Sequence, residues 1–248
     1  MSLPRHVSSK WKKTAALLKD HFLSDFVPET VAMSKISLRT LLKKYGMVYI
    51  KPVVGTYGIG VMRVERTESG YQFQVEEQVR TFKNFGDMYA SILKNTNKKK
   101  YLVQEGIHLL KHKGKRFDLR VMTQYAPNRR WETTGIIGRV AAKNKIVTNY
   151  HSGGKILTAN RLLARHTGDV ESQLKSLSKL GEKAGKAMQK AFPGVYVIGI
   201  DVALDQSLRP WILEVNTSPD PYIFRKHPNK SVFKKIMRYA DLYPKSEA

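Results

Sequence analysis

At 248 residues the chain can form one large domain or two interlocked lobes, and an apolar fraction of 42% supplies a core. It has no cysteine, which excludes disulfides and thiolate metal sites and fits a reducing compartment such as the cytoplasm. No apolar run reaches the roughly 18 residues of a membrane span. The N-terminal MSLPRHVSSKWKK lacks the apolar stretch of a signal peptide. Forty-four basic residues against 20 acidic ones give a formal net charge of +24, which favours anionic partners: nucleotides, nucleic acid, acidic proteins, anionic polymers or membrane surfaces.

Residues 8–23 read as one helix, with Trp11, Ala15, Leu18 and Phe22 at helical spacing and Ser8 or Ser9 as its cap. Residues 24–35 read as irregular around Pro28. A short helix follows Ser37, carries Leu38, Leu41, Leu42 and Tyr45, and stops at Gly46.

The next stretch, MVYIKPVVGTYGIGVMRVE, reads as a strand over Val48–Lys51, a glycine-rich turn over 55–60 and a return strand over Val61–Glu65. A P-loop or dinucleotide-binding turn would feed a helix instead, so this hairpin is neither. Glycines let backbone N–H groups approach phosphate oxygens, and Lys51 adds a cation beside the turn. The residues alone equally allow an ordinary glycine-containing hairpin.

Tyr71 to Glu77 alternates as a third strand, residues 84–95 form a helix, and YLVQEGI at 101–107 reads as a strand linking two lobes. Two long strands follow, Phe117–Tyr125 and Trp131–Ala141. Asp118 and Arg120 share a strand face there, with Arg139 near them on the neighbouring strand. TNYHSGGK is a polar loop without the Walker A spacing. Leu174, Leu177, Leu180, Ala184, Met188 and Ala191 mark an amphipathic helix, and Ser231 caps a closing helix through Tyr239. His108, His112 and His227 lie in basic stretches and read as solvated. Trp131 and Trp211 read as core. Tyr222 and Phe224 suit either the core or the substrate end of a site.

Between the last two helices lie two apolar runs, YVIGIDV and WILEVNTSPDP. Glu214 and Asn216, two apart, point from one face of a strand, and Asp201 closes the neighbouring run. Three oxygen-bearing side chains so placed suit a hard cation of the kind that accompanies phosphates. Strand-end polar residues that merely bond a loop fit the spacing as well.

The ordered set IKPVVGTYGIGV, LVQEGI, FDLRV, GRV, TNYHSGGK, GIDVALD and LEVNTSPDP resembles the ATP-grasp superfamily over nearly the whole chain. The likeness is to the ribosomal-protein glutamate ligase and glutathione synthetase type, and to endospore coat-associated proteins that carry the same domain. The resemblance implies an α+β fold with a nucleotide held by two lobes, a small one near 30–104 and a large one over 105–248. It implies ATP with Mg²⁺, two ions or one, and Mn²⁺ as an alternative. Lys51 and Lys10 would contact ATP phosphates, and Gly55, Thr56, Gly58, Ile59 and Gly60 would form the flap over them. Gln104, Glu105 and Ile107 would read adenine and ribose, and Asn149 would lie near the phosphates. Asp201, Glu214 and Asn216 would hold metal. Arg120 and Arg139 would face the γ-phosphate and an acyl-phosphate.

The implied activity is an ATP-dependent carboxylate–amine ligation on an acid and an amine, with an acidic peptide, protein or polymer as substrate. A catalytically silent nucleotide-binding spore-coat protein is the second reading. A basic nucleic-acid-binding module is the third, and no RNA-binding aromatic strand or zinc spacing supports it. The motifs begin near residue 10, so the N-terminal substrate domain of such ligases is expected to be absent. A partner chain or a second copy is one way to replace it.

Overall fold

A computed structural model describes residues 6–148 and 153–243. In chain order its elements are α1 (Lys10–Leu18), α2 (His21–Ser24), β1 (Thr30–Ala32), α3 (Lys35–Tyr45), β2 (Met47–Pro52), β3 (Met62–Thr67), β4 (Gly70–Val75), β5 (Gln78–Phe82), α4 (Phe85–Thr96), β6 (Tyr101–Glu105), β7 (Lys111–His112), β8 (Lys115–Tyr125), β9 (Trp131–Val140), β10 (Lys155–Thr158), α5 (Ala159–Leu163), α6 (Val170–Ala191), β11 (Val197–Leu204), β12 (Pro210–Asn216) and α7 (Lys230–Ala240). They form two compact units. The large one comprises residues 1–27, 109–140 and 155–248, the small one residues 28–108 and 141–154. Among the described residues no helix is long and apolar enough to cross a membrane.

In the large unit the strands run β10-β9-β8-β11-β12, each pair antiparallel. Alternation along β8 sorts its side chains. Phe117, Leu119 and Val121 join Ile198, Ile200 and Val202 of β11 in a core shared with α1 and α6. Asp118, Arg120 and Met122 take the other face, where Met122 meets Ile137, Phe224 and Ile236. The helix expected over 8–23 is broken. Asp20 takes extended backbone, and its carboxylate accepts from the N–H groups of Phe22 and Leu23, which starts α2.

In the small unit the order is β1-β6-β2-β3-β4-β5, again antiparallel. Val48 and Ile50 of β2 pack with Leu38, Leu41 and Leu42 of α3 and with Met88 and Ile92 of α4, so Tyr49 and Lys51 take the opposite face. The strand read as a link between lobes, β6, is an interior strand of this sheet, paired with both β1 and β2. The α3 cap is Ser34 rather than Ser37: Ser34 accepts from Ser37 N–H, and Ser37 returns a bond to Ser34 N–H. Gly46 ends the helix at φ +72, the left-handed conformation that favours glycine.

His112 departs from its sequence reading. It is 7% exposed on β7 and its Nδ1 finds no partner among the described residues. Burial, and then the nearby cations Arg165 and Lys113, hold its imidazole below the usual histidine range. Trp131 is core, as read.

The α6 helix approaches the large sheet closely because two of its inward positions are glycine. A Cβ on Gly185 would overlap the Trp131 ring. Alanine in place of glycine would favour the helix by about 1 kcal/mol, but overpacking against a buried ring costs about 1–3 kcal/mol. Gly185→Ala therefore lowers stability by up to about 2 kcal/mol net, read as a lower denaturation midpoint with an unchanged slope in urea.

Candidate functional site

The strand registers of the large unit bring its acidic and basic candidates into one row. Asp118 lies opposite Arg139, Arg120 opposite Asp201, and Asp201 opposite Glu214. Directly opposed residues of antiparallel strands share a face, and so do residues two apart on one strand. Arg139, Asp118, Arg120, Asp201, Glu214 and Asn216 therefore line one face across β9, β8, β11 and β12. Gly199 stands opposite Asn216 and adds no side chain to this face.

Each carboxylate in the row is answered by a cation. Arg139 is 4% exposed and donates to both oxygens of Asp118 through Nε and Nη2; its Nη2 also lies 3.0 Å from Asp201 Oδ2. Arg120 Nε donates to Asp201 Oδ1 at 2.7 Å. Burial by itself would raise the Asp201 pKa, but the charges of Arg120 and Arg139 outweigh it and pull the carboxyl down to about 2. Arg139 is held charged well above the ordinary arginine range. Lys10, at the start of α1, donates to Glu214 Oε1 at 2.6 Å. Ser9 caps that helix, and Thr217, just past β12, accepts from Val7 N–H, so both ends of the Lys10–Glu214 contact are anchored.

Lys13, one helical turn beyond Lys10, is the group that spacing did not single out. It is 5% exposed. Burial pushes its ammonium down to about 8, against the pull of Glu214 and with the push of Lys10. Its only sequence signal was membership in the Lys10, Lys12, Lys13 cluster, of which Lys12 is exposed.

The donor set Asp201, Glu214 and Asn216 is all oxygen, two carboxylates and a carboxamide on one sheet face, and this chemistry fits a hard divalent cation. Among the described residues no group of three or more His, Cys, Asp or Glu side chains is arranged around one point, so any such site depends on the amide.

In the small unit, Lys51 Nζ donates to Gln104 Oε1, and Gln104 Nε2 donates to Thr30 Oγ1 at 3.0 Å. Both ends of the Gln104 side chain are thus engaged within the sheet, where it orients Lys51. Glu105 is tied to residue 29 by a backbone bond of 2.8 Å from its N–H and a side-chain bond of 3.3 Å from Glu29 N–H. Ile107 is 6% exposed. The turn carries Gly55, Thr56, Gly58, Ile59 and Gly60, with Gly58 at φ +74, Gly60 at φ +75 and Ile59 68% exposed. Val147 packs beneath Gly58, where a Cβ would stand 3.0 Å from it. Asn149 lies outside the described residues.

The fold is that of ATP-grasp proteins. N5-carboxyaminoimidazole synthase from Aspergillus clavatus, solved with ADP and 5-aminoimidazole ribonucleotide, superimposes with a TM-score of 0.59 at 12% identity over 97% of this chain and 53% of its own. The C-terminal domain of K. lactis Pby1, an ATP-grasp enzyme interacting with the mRNA decapping enzyme Dcp2, does so with a TM-score of 0.50 at 13% identity over 96% of this chain and 74% of its own. A family model described as YheC/D like ATP-grasp matches residues 3–243, and the chain belongs to that family. The endospore coat-associated protein YheD of Bacillus subtilis (strain 168) is 29% identical over 89% of this chain and 50% of its own length. The endospore coat-associated protein YheC of the same strain is 21% identical over 87% of this chain and 61% of its own. The chain thus spans about half to three-fifths of the length of these relatives.

The buried ammonium of Lys13 carries a pH signature. Its folded pKa of about 8 is below the unfolded 10.5, so the unfolded chain binds more protons between those values and stability rises with pH through that window. Lys13→Met removes the term. Thermal melts should show the variant more stable than the parent near pH 7, by about 1–3 kcal/mol, with the gap closing towards pH 10.

Proposed function

We propose that this chain is an ATP-dependent carboxylate–amine ligase that works through an acyl-phosphate. The observation that carries this reading is the Asp201–Glu214 cross-strand pair, with Asn216 on the same face and two arginines beside it. Asp201, Glu214 and Asn216 would hold Mg²⁺, which when bound neutralises phosphate oxygens. Lys10 and Arg120 would then turn from Glu214 and Asp201 to phosphates, while Arg139 keeps its two-bond pair with Asp118 and exchanges only its Asp201 contact.

In this reading the small unit supplies Lys51, positioned by Gln104, and the N–H groups of the turn at Gly55, Thr56, Gly58, Ile59 and Gly60 for ATP phosphates. Glu105 and Ile107 present main chain to adenine and ribose, and Asn149 lies by the phosphates. A carboxylate oxygen of the acid attacks the γ-phosphorus and ADP leaves. The amine nitrogen then attacks the acyl carbon, phosphate departs and the amine loses a proton. Arg120 and Arg139 stabilise the charge that develops on the transferring phosphoryl group and on the acyl-phosphate. No nucleophilic side chain is needed, so the work of the chain is positioning, charge neutralisation and exclusion of water.

The names of the relatives favour a second reading, a nucleotide-binding coat-associated protein without turnover. The net charge of +24 suits an anionic substrate or partner in either case.

An ADP-release screen with Mg·ATP against amino acids, acidic peptides and anionic polymers separates the two. Ligation predicts ADP release that needs both an acid and an amine; tight Mg·ATP binding with no release under any pairing would select the second reading. Glu214→Ala is expected to weaken Mg·ATP binding by about tenfold or more and to abolish release. Unchanged affinity and turnover in that variant would remove the metal assignment.

A further inference from the structure

Beyond β12 the chain turns into a segment of one charge. Residues 221–240 contain six arginines and lysines and no acidic residue. The segment starts beside the charged row. A Cβ on Gly199 would stand 2.6 Å from Pro219 and 3.1 Å from Arg120 Nη1, so the Ser218–Pro221 tail crosses β11 next to that arginine. A short 3₁₀ turn, Tyr222–Lys226, follows and then α7. Ile223 and Phe224 anchor the turn on Met122 and Ile137, on the sheet face that also carries Asp118 and Arg120.

On this anchored base Arg225 is fixed by aromatic rings. Its guanidinium lies 4.7 Å from the Tyr222 ring centre and 5.3 Å from that of Phe233, with the two rings 6.2 Å apart. Lys230 Nζ donates to the Arg225 carbonyl at 2.9 Å. Lys230, Lys234 and Arg238 follow at four-residue steps along one exposed side of α7, spanning about 12 Å. Acids flank the segment: Asp220 accepts from Tyr222 N–H at 2.8 Å, Glu132 takes Lys235 and the Tyr239 hydroxyl, and Asp241 caps the far end of α7, three residues past Arg238. Arg225, Lys230, Lys234 and Arg238 make no ion pair among the described residues.

We infer that the 3₁₀ turn and α7 form a docking ledge for an acidic polypeptide, with Arg225 as the specificity-determining residue that holds a side-chain carboxylate of the chain being modified. This rests on the ligase reading and gives its expected acidic substrate a place on named residues. An arginine fixed in one orientation gives bidentate recognition of a carboxylate with little further ordering cost. Nucleic acid is the weaker occupant, because base stacking needs open ring faces and the Arg225 guanidinium lies within 5.3 Å of the centres of both the Tyr222 and the Phe233 ring. The row of cations on α7 fits successive acidic side chains further along the same peptide.

The test is fluorescence anisotropy of the full chain with labelled oligoglutamate at low salt, with oligoglutamine and oligothymidylate as comparison probes. Oligoglutamate is expected to bind in preference to both. Arg225→Ala should weaken it by about tenfold, and Arg225→Lys should recover only part of that because the fork is lost. Lys179→Glu, on α6 against the opposite sheet face, should change it by less than about twofold, as expected for a distant screened charge. Mg·ATP affinity should be unchanged in Arg225→Ala, and Arg225→Gln serves if the alanine variant is unstable. Equal losses in Arg225→Ala and Lys179→Glu would overturn the ledge in favour of diffuse attraction, and so would equal affinity for oligothymidylate. ADP release with acidic peptides that is indifferent to Arg225 would overturn the ledge and leave the ligase reading standing. Arg225-dependent oligoglutamate binding with no ADP release under any pairing of acid and amine would support the ledge and remove the ligase reading.

Discussion

The large unit is organised around a row of ion pairs laid across one sheet face. Removing an ion from water costs several kcal/mol even after relaxation. Asp118 and Arg139, 2% and 4% exposed, meet each other in a two-bond pair that offsets this cost. That pairing also constrains the register. A one-residue slip of β8 would turn Asp118 and Arg120 into the Leu119 and Val121 core and take Asp118 away from Arg139. The fold and the charge pattern are therefore one constraint: the apolar face and the ionic face of β8 have to be right together.

The same row sets the chemistry available there. Asp201 stays ionised because two arginines flank it, and Glu214 is held by a lysine from a helix that begins some two hundred positions earlier, a separation of 204 residues. Groups able to ligate a cation and groups able to bind phosphate are interleaved rather than segregated. Each carboxylate of the row is balanced by a cation of the protein itself. The buried Lys13 amine adds a fourth cation within electrostatic range of Glu214 and Asp201, at a cost that its lowered pKa records.

Much of the element pattern was legible because it is local. The glycine hairpin after Lys51, the alternation in FDLRV, the amphipathic α6 and the Gly46 stop depend on side-chain period and backbone permissiveness, which neighbours in sequence express. The failures are equally physical. Asp20 ended a helix whose apolar spacing ran on to Phe22, since a cap competes with periodicity over a single turn. β5 and β10 are short and exposed or half-exposed, so alternation had little to mark, and each is defined by its partner strand. The partners of Gln104, Lys51 and Thr30, were not legible either, because they follow from β6 being interior to its sheet. His112 read as solvated because its neighbours in sequence are basic, yet burial there is decided by the fold around β7.

By itself the sequence determined the class of fold, the strand and turn that carry Lys51, and the presence of Asp201, Glu214, Asn216, Arg120 and Arg139 on strands with the right facing. These follow from residue type and period, which act within a few positions. Only the tertiary structure decided who meets whom: that Arg139 answers two aspartates, that Lys10 rather than Lys12 reaches Glu214, that Lys13 is buried among charges, and that residues 1–27 and 141–154 belong to units remote from them in sequence. Ion pairing and desolvation depend on distance and burial, and across separations of 21 to 204 residues those are set by strand register and helix packing, which no local pattern encodes.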